Sequence, residues 1–333
     1  MKTRLRALTI ISLVVGLPIF IYLIRQAGGK DILTRVQTLG AGFALILGIS
    51  ILRQFTRTWA WLHCLQPAER GLSFFAVWRA RLAGDALGDL TAAGPLIAEP
   101  IKVMALGRHL SKAALASSLA VENVAYAVSS CVMVMGGTLA LLASFALNES
   151  LRSVSLVALG GVFAVMVGLA LTVALEARVA SILCAALARF IPHEQLSSWV
   201  GAKLGYLRDL EDYVFGFYAR RPVDFALVAL CEAAFHALGV TEVYVTLHLT
   251  GDGSSVRQAF ILEAVNRVVN IVFSFVPAMV GVDEAGSGLL AQTLGMGMAA
   301  GVTLAIVRKA RMFCWIGLGL IFLVGLRPTK NSQ

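Results

Sequence analysis

The stretch "LTAAGPLIAEPIKVMALGRH", Leu90 to His109, has the apolar content of a membrane segment, yet it gathers Pro95, Glu99, Pro100 and Lys102. A helix crossing lipid keeps its backbone groups bonded internally, and a proline or a charge inside it needs a partner from protein or water. The stretch therefore predicts a broken helix inside a membrane protein, with a carboxylate at the break. Glu99 precedes Pro100, and proline is favoured at the first helical position. That places a half-helix from about Glu99 to Gly107, on the order of 12 Å at the α-helical rise. Such a helix covers less than half of a hydrocarbon core of about 30 Å. Its N-terminus would lie deep in the membrane, with free N–H groups that Glu99 satisfies.

The whole chain supports that setting. Of its 333 residues 58% are apolar and 14% charged, which excludes a soluble globular protein and indicates a polytopic membrane protein. The formal charge of +9 then marks cytoplasmic loops and anionic headgroups rather than nucleic acid. The five cysteines are scattered without metal-type spacing and read as packing residues.

Six stretches are long enough to span: 7–24, 40–63, 114–146, 154–175, 223–250 and 300–326. Two further regions, 74–108 and 258–298, are interrupted by Gly and Pro, at "AAGPLIAEP" and at "FVPAMVGVDEAGSG". Read as re-entrant hairpins, they give an all-α fold of about six transmembrane helices plus two hairpins in an inverted repeat. The chain forms one membrane domain over 1–333, with an amphipathic cytoplasmic segment at 176–222. Lys2, Arg4, Arg6, Arg108, Lys112, Arg178 and Arg327 fall on the side of the termini, and Arg25, Lys30, Arg35, Arg152 and Arg257 opposite. The excess makes both termini cytoplasmic, although the loop with Arg25, Lys30 and Arg35 fits poorly.

Both halves share an order of proline, acidic break, short helix ending in Leu-Gly, and long helix. Pro95, Glu99, Leu106-Gly107 and Glu122 correspond to Pro277, Glu284, Leu294-Gly295 and Arg308, with Asp283 beside Glu284 at the second break. Broken helices in corresponding positions are the best sequence pointer to a transporter's binding site. The helices entering the breaks carry polar faces: Arg81, Asp85 and Asp89 on the first, Glu263, Asn266, Arg267 and Asn270 on the second. Spacings of three and four put each set on one face, which must line a cavity or meet another helix.

At these residues the sequence resembles the transmembrane region of lysylphosphatidylglycerol synthases and the stand-alone flippase-like membrane proteins related to it. The likeness rests on Pro95, Ala98-Glu99, Lys102 and Glu122-Asn123 in the first block, and on Pro277, "GVDEAG", Leu294-Gly295 and Arg308 in the second. Ala98 stands where the family carries Gly, and Lys102 and Asn123 where it carries Arg. The soluble aminoacyl-transferase domain of the synthases has no counterpart here. The resemblance thus implies handling of a phospholipid, glycolipid or polyprenyl- or hopanoid-type lipid in a bacterial inner membrane, not lysyl transfer.

Glu99 and Glu284 either cap buried helix ends within a salt-bridge network or serve the substrate path, and an intramembrane carboxylate favours the second. Arg53 and Arg57, four apart in the second span, either grip a lipid phosphate or neutralise Asp85 and Asp89. Glu232 and His236 form half a metal site without a third ligand at recognisable spacing, so neither metal nor other cofactor is expected. The run "GGVFAVMVG" suits close helix packing and leaves a homodimer open.

The expected function is a lipid flippase-like transporter. A secondary transporter of a small polar solute is the alternative, and a lipid-modifying intramembrane enzyme ranks last, because no nucleophile is paired with a base. Nothing matches an ATP-binding loop. Transport would be downhill, ion-coupled, or driven by a partner such as a lipid-biosynthetic enzyme.

Overall fold

The structure is a computed structural model that describes residues 29–91, 94–175, 177–189, 194–273, 276 and 279–325. The expected span at 7–24, Pro277 and the basic residues Lys2, Arg4, Arg6, Arg25 and Arg327 lie outside the described residues. Among the described residues every regular element is helical.

The helices are α1 (Gly29–Leu39), α2 (Gly42–Cys64), α3 (Phe74–Asp89), α4 (Gly94–Leu106), α5 (Lys112–Ser144) and α6 (Glu149–Ala174). They continue with α7 (Val179–Arg189), α8 (Glu194–Arg220), α9 (Pro222–Leu249), α10 (Val256–Val272), α11 (Val282–Thr293) and α12 (Met298–Gly325). Lys112–Ser144, Glu149–Thr172 and Pro222–Leu249 are long and apolar enough to cross a membrane. Helices α2 and α12 match them in length but carry buried charges, Arg53 on one and Arg308 and Lys309 on the other. On α6 apolar side chains stand exposed around the helix, Val157 at 75% and Phe163 at 58%. A helix that is apolar all round and packed along one side belongs in lipid. This is a polytopic helical membrane protein.

The region around Lys30 and Arg35, read from sequence as a loop, forms α1, whose end packs Leu39 with Ile46 and Val307. The segment 176–222 contains the paired helices α7 and α8, held by Arg178 on Asp212 at 2.9 Å and by the Ser181 hydroxyl on Glu211 at 2.7 Å. Where α2 ends, its last carbonyls need donors. Arg221 supplies them, at 2.9 Å to His63 O and 2.6 Å to Leu65 O, and the Tyr213 phenol donates to Cys64 O at 2.8 Å. Burial raises the Tyr213 phenol above its ordinary range and keeps that proton in place.

Both interrupted regions are helical hairpins, α3–α4 and α10–α11, and each is packed the same way. Trp61, Val77, Ala80, Leu106, Leu115 and Leu119 form a core beneath the first, drawn from α2 to α5. Leu247, Leu262, Leu294, Ala300 and Leu304 lie correspondingly beneath the second, drawn from α9 to α12. The long helices are exchanged: α5, which follows the first hairpin, packs on α10, and α12, which follows the second, packs on α3. Glycines allow both crossings. A Cβ at Gly137 would run into Ala264, and one at Gly319 into the Leu82 carbonyl and Ala86.

One expectation needs correction. The short helix of the first hairpin starts at Gly94, not at Glu99, and Pro100 lies inside it. Its 13 residues extend about 20 Å. Pro95, at the second position, is the proline that occupies the first turn, where no backbone donor is missed. Glu99 is therefore a mid-helix residue and caps nothing.

Candidate functional site

The hairpins meet at a polar cavity of about 770 Å³, lined by Gly88, Gly94 and Ala98 from the first and by Val276, Met279 and Asp283 from the second. Of the residues singled out in the sequence, Arg57, Arg81, Asp85, Asp89, Glu99 and Lys102 line it. So do Asn123, Asn266, Asn270, Asp283 and Arg308. Arg53, Glu122, Glu263, Arg267 and Glu284 stand behind this wall, each at most 7% exposed. The breaks thus share one cavity, with a second layer of charge beneath it.

On the first-hairpin side, Lys102 Nζ lies 2.8 Å from Asp85 Oδ1 and 3.0 Å from Glu99 Oε1. One lysine thereby holds the acid of α3 and the acid of α4 together. Beneath them Glu122, on α5, takes Arg57 through Nε at 2.8 Å and Nη2 at 2.6 Å, and Arg81 Nη1 at 3.0 Å. The Arg57 guanidinium lies over the Tyr126 ring at 3.9 Å, a contact worth more in a desolvated setting than at a surface.

On the second side Glu263 is the hub. Its Oε1 accepts Arg267 at 2.6 Å and Arg53 at 3.1 Å, and its Oε2 accepts Arg308 at 3.2 Å. Arg53 reaches on to Glu242 at 2.7 Å, which also binds Arg311 at 3.0 Å. Three arginines share one carboxylate because Glu242 relieves Arg53 and Tyr126 accepts from Arg267 at 2.9 Å. Asp283 receives Asn266 at 2.7 Å and Ser287 at 3.1 Å, with Arg308 at 3.7 Å, and Asn270 donates to Asn266 at 3.0 Å. Glu284 closes the start of α11, accepting from Gly281 N at 2.8 Å and from Lys309 Nζ at 2.6 Å.

One of the two alternatives that the sequence leaves open for Arg53 and Arg57 is thus excluded. Arg53 and Arg57 do not neutralise Asp85 or Asp89, because Lys102 reaches Asp85 first and both arginines point to glutamates on other helices. Glu284 pairs with Lys309, since Arg308 is drawn to Glu263 and Asp283. Sequence reasoning missed Glu242, Lys309 and Arg311. The signal was present: a carboxylate inside an apolar span, and "RKAR" (Arg308–Arg311) in the middle of another.

A smaller cavity of about 100 Å³ adjoins the first, sharing Gln54, Asp85, Asp89 and Arg311 with it and closed by Leu82, Ala86, Trp315 and Ile316. The space therefore continues between α3 and α12 with charged and apolar side chains on its walls.

The family model described as the lysylphosphatidylglycerol synthase TM region matches residues 9–320. The chain belongs to that family. A comparison with curated proteins and with solved structures finds no match.

Proposed function

We propose that this family member is a lipid flippase-like transporter of the bacterial inner membrane. In this reading both termini are cytoplasmic, the hairpins enter from opposite faces, and a phosphate-bearing headgroup crosses through their shared cavity. One observation carries the reading. The large cavity carries apolar lining, Val276, Met279 and Met312, beside its charges, which suits a molecule with a charged head and apolar chains better than a small polar solute. Arg308, Lys309 and Arg311 on α12 put positive charge on the cavity lining, where guanidinium groups match phosphate oxygens. The first hairpin offers Asp85, Asp89 and Glu99. We read the protein as a carrier and not an enzyme: Asp85, Glu99 and Asp283 each face a cation or amide donor, not a nucleophile awaiting a base.

The test is Glu99→Gln. Glu99 is a partly exposed member of a pair whose lysine keeps Asp85, so the variant should lose no more than about 1 kcal/mol of stability. Its lipid scrambling in reconstituted vesicles should fall at least about tenfold, which corresponds to roughly 1.4 kcal/mol in the transport step. Scrambling at the wild-type rate by a folded Glu99→Gln protein would remove Glu99 from the path.

A further inference from the structure

Between α5 and α9, behind the cavity wall, lies a polar group that the network above does not use. Glu232 and His236, one turn apart on α9, are 1% and 7% exposed. Both approach Ser129 Oγ, Glu232 through Oε2 at 3.4 Å and His236 through Nε2 at 3.1 Å. Ser129 in turn lies 3.0 Å from the Tyr126 carbonyl. Glu232 Oε1 and His236 Nδ1 are buried without a hydrogen-bond partner. The nearest cation to Glu232 is Arg57, at 3.8 Å from its Nε, and that arginine already donates twice to Glu122.

Hydrogen counting restricts what this group can be. A serine hydroxyl has one proton to give and two lone pairs to receive. If Ser129 donates to the Tyr126 carbonyl, both its other neighbours must donate to it. Glu232 is then a neutral acid and His236 carries its proton on Nε2. If Ser129 donates to Glu232 instead, Glu232 needs no proton of its own and can be ionised, and only His236 donates. The two arrangements differ by one proton on Glu232 and a turn of one hydroxyl.

The surroundings make that proton consequential. Arg53, Arg57 and Cys64 face the group from α2, Arg81 from α3, Glu122 and Tyr126 from α5, Tyr218 from α8, and Glu263 and Arg267 from α10. Of these, Arg57, Arg81 and Tyr126 also line the cavity, and Arg57 is the one within ion-pair range of Glu232, at 3.8 Å. Glu122 and Glu232 compete for it. An ionised Glu232 holds Arg57 between two carboxylates, and a neutral one leaves it with Glu122, which Arg81 also serves.

We propose that Glu232 is a proton-binding site, and that its protonation leaves Arg57 with one carboxylate in place of two, so that its remaining positive charge can attract the phosphate of a lipid headgroup in the cavity. The proposal rests on the lipid-transport reading above and supplies it with a coupling ion. One proton comes from solvent, one O–H bond forms on Glu232, the Ser129 hydroxyl turns to the Tyr126 carbonyl, and no other covalent bond changes.

The experiment titrates the purified full chain with short-chain phosphatidylglycerol in weakly buffered detergent, following binding and proton uptake together. The wild type should take up about one proton per lipid, and its affinity should fall about tenfold per pH unit as the pH rises, the slope of one linked proton. Glu232→Gln, whose amide mimics the neutral acid, should bind with no such slope and take up none. Binding by the wild type without uptake, or uptake retained in Glu232→Gln, would overturn the proposal. If the wild type binds no lipid, the transport reading has failed, and infrared titration without lipid decides the proton site by itself. A protonated-carboxyl band that appears on acidification in wild type and Ser129→Ala, and is missing in Glu232→Gln, supports it. A wild type without the band refutes it.

Discussion

At the second break, α11 begins with Glu284 folded back on the Gly281 N–H and locked to Lys309, and the acids there are buried, Glu284 fully and Asp283 to 6% exposure. At the first break the acids remain open: the Asp85 side chain is 32% exposed and that of Glu99 28%, sharing Lys102. Both hairpins sit on equivalent cores and are crossed by the other half's long helix. They share packing and differ in how their charges are tied. Buried charges with fixed partners are costly to disturb, whereas half-exposed ones exchange partners for about 1 kcal/mol or less. The second hairpin is thus the anchored one, and the charges of the first are freer to change partners.

The sharpest way to break this contrast is to remove the same charge from both. Glu284→Gln removes the counter-charge of the buried Lys309, which also donates to the Met279 carbonyl, and should cost about 3–5 kcal/mol, the usual range for stranding a buried partner. Glu99→Gln should stay near the wild type. Thermal unfolding in detergent compares them directly, and equal losses would erase the distinction between the anchored hairpin and the freer one.

A smaller effect tests whether the exchanged crossings are as alike as their packing. A methyl at Gly319 meets the Leu82 carbonyl, and at Gly137 it meets the Ala264 methyl; neither atom can move without its helix. Overpacking costs of about 1–3 kcal/mol follow, and Gly319→Ala and Gly137→Ala should lose similar stability. Clearly unequal denaturation midpoints would show that one of α5 and α12 is the tighter clasp.

The hairpins, their polar faces and their convergence could be read from the chain, because a spacing of three and four places Arg81, Asp85 and Asp89 on one face wherever the helix goes. The partners could not. Arg53 joins acids 189 and 210 positions away, and which acid a buried arginine meets depends on how helices cross, which local pattern does not encode. The start of α4 was misread for a simpler reason. Two prolines compete for the first-turn rule, and Pro95 satisfies it before Pro100 does.

That leaves Pro100 itself, and the smallest of these effects. A proline in a helix interior lacks the N–H that would bond the carbonyl four residues back, here Leu96, and its ring crowds that carbonyl. The second hairpin has nothing comparable in α11, where the sequence from Val282 to Thr293 contains no proline. If the first hairpin is the adaptable one, Pro100 is the place where α4 gives up internal bonding for freedom to bend beside Glu99 and Lys102. Pro100→Ala restores the missing donor on an exposed face of the helix, so stability should rise by about 1 kcal/mol, a part of the full proline penalty because the native helix already accommodates the ring. Lipid scrambling should slow at the same time. A variant that is more stable and transports at the wild-type rate would mean the missing donor is incidental, and a less stable one would mean that the proline ring packs against something the alanine loses.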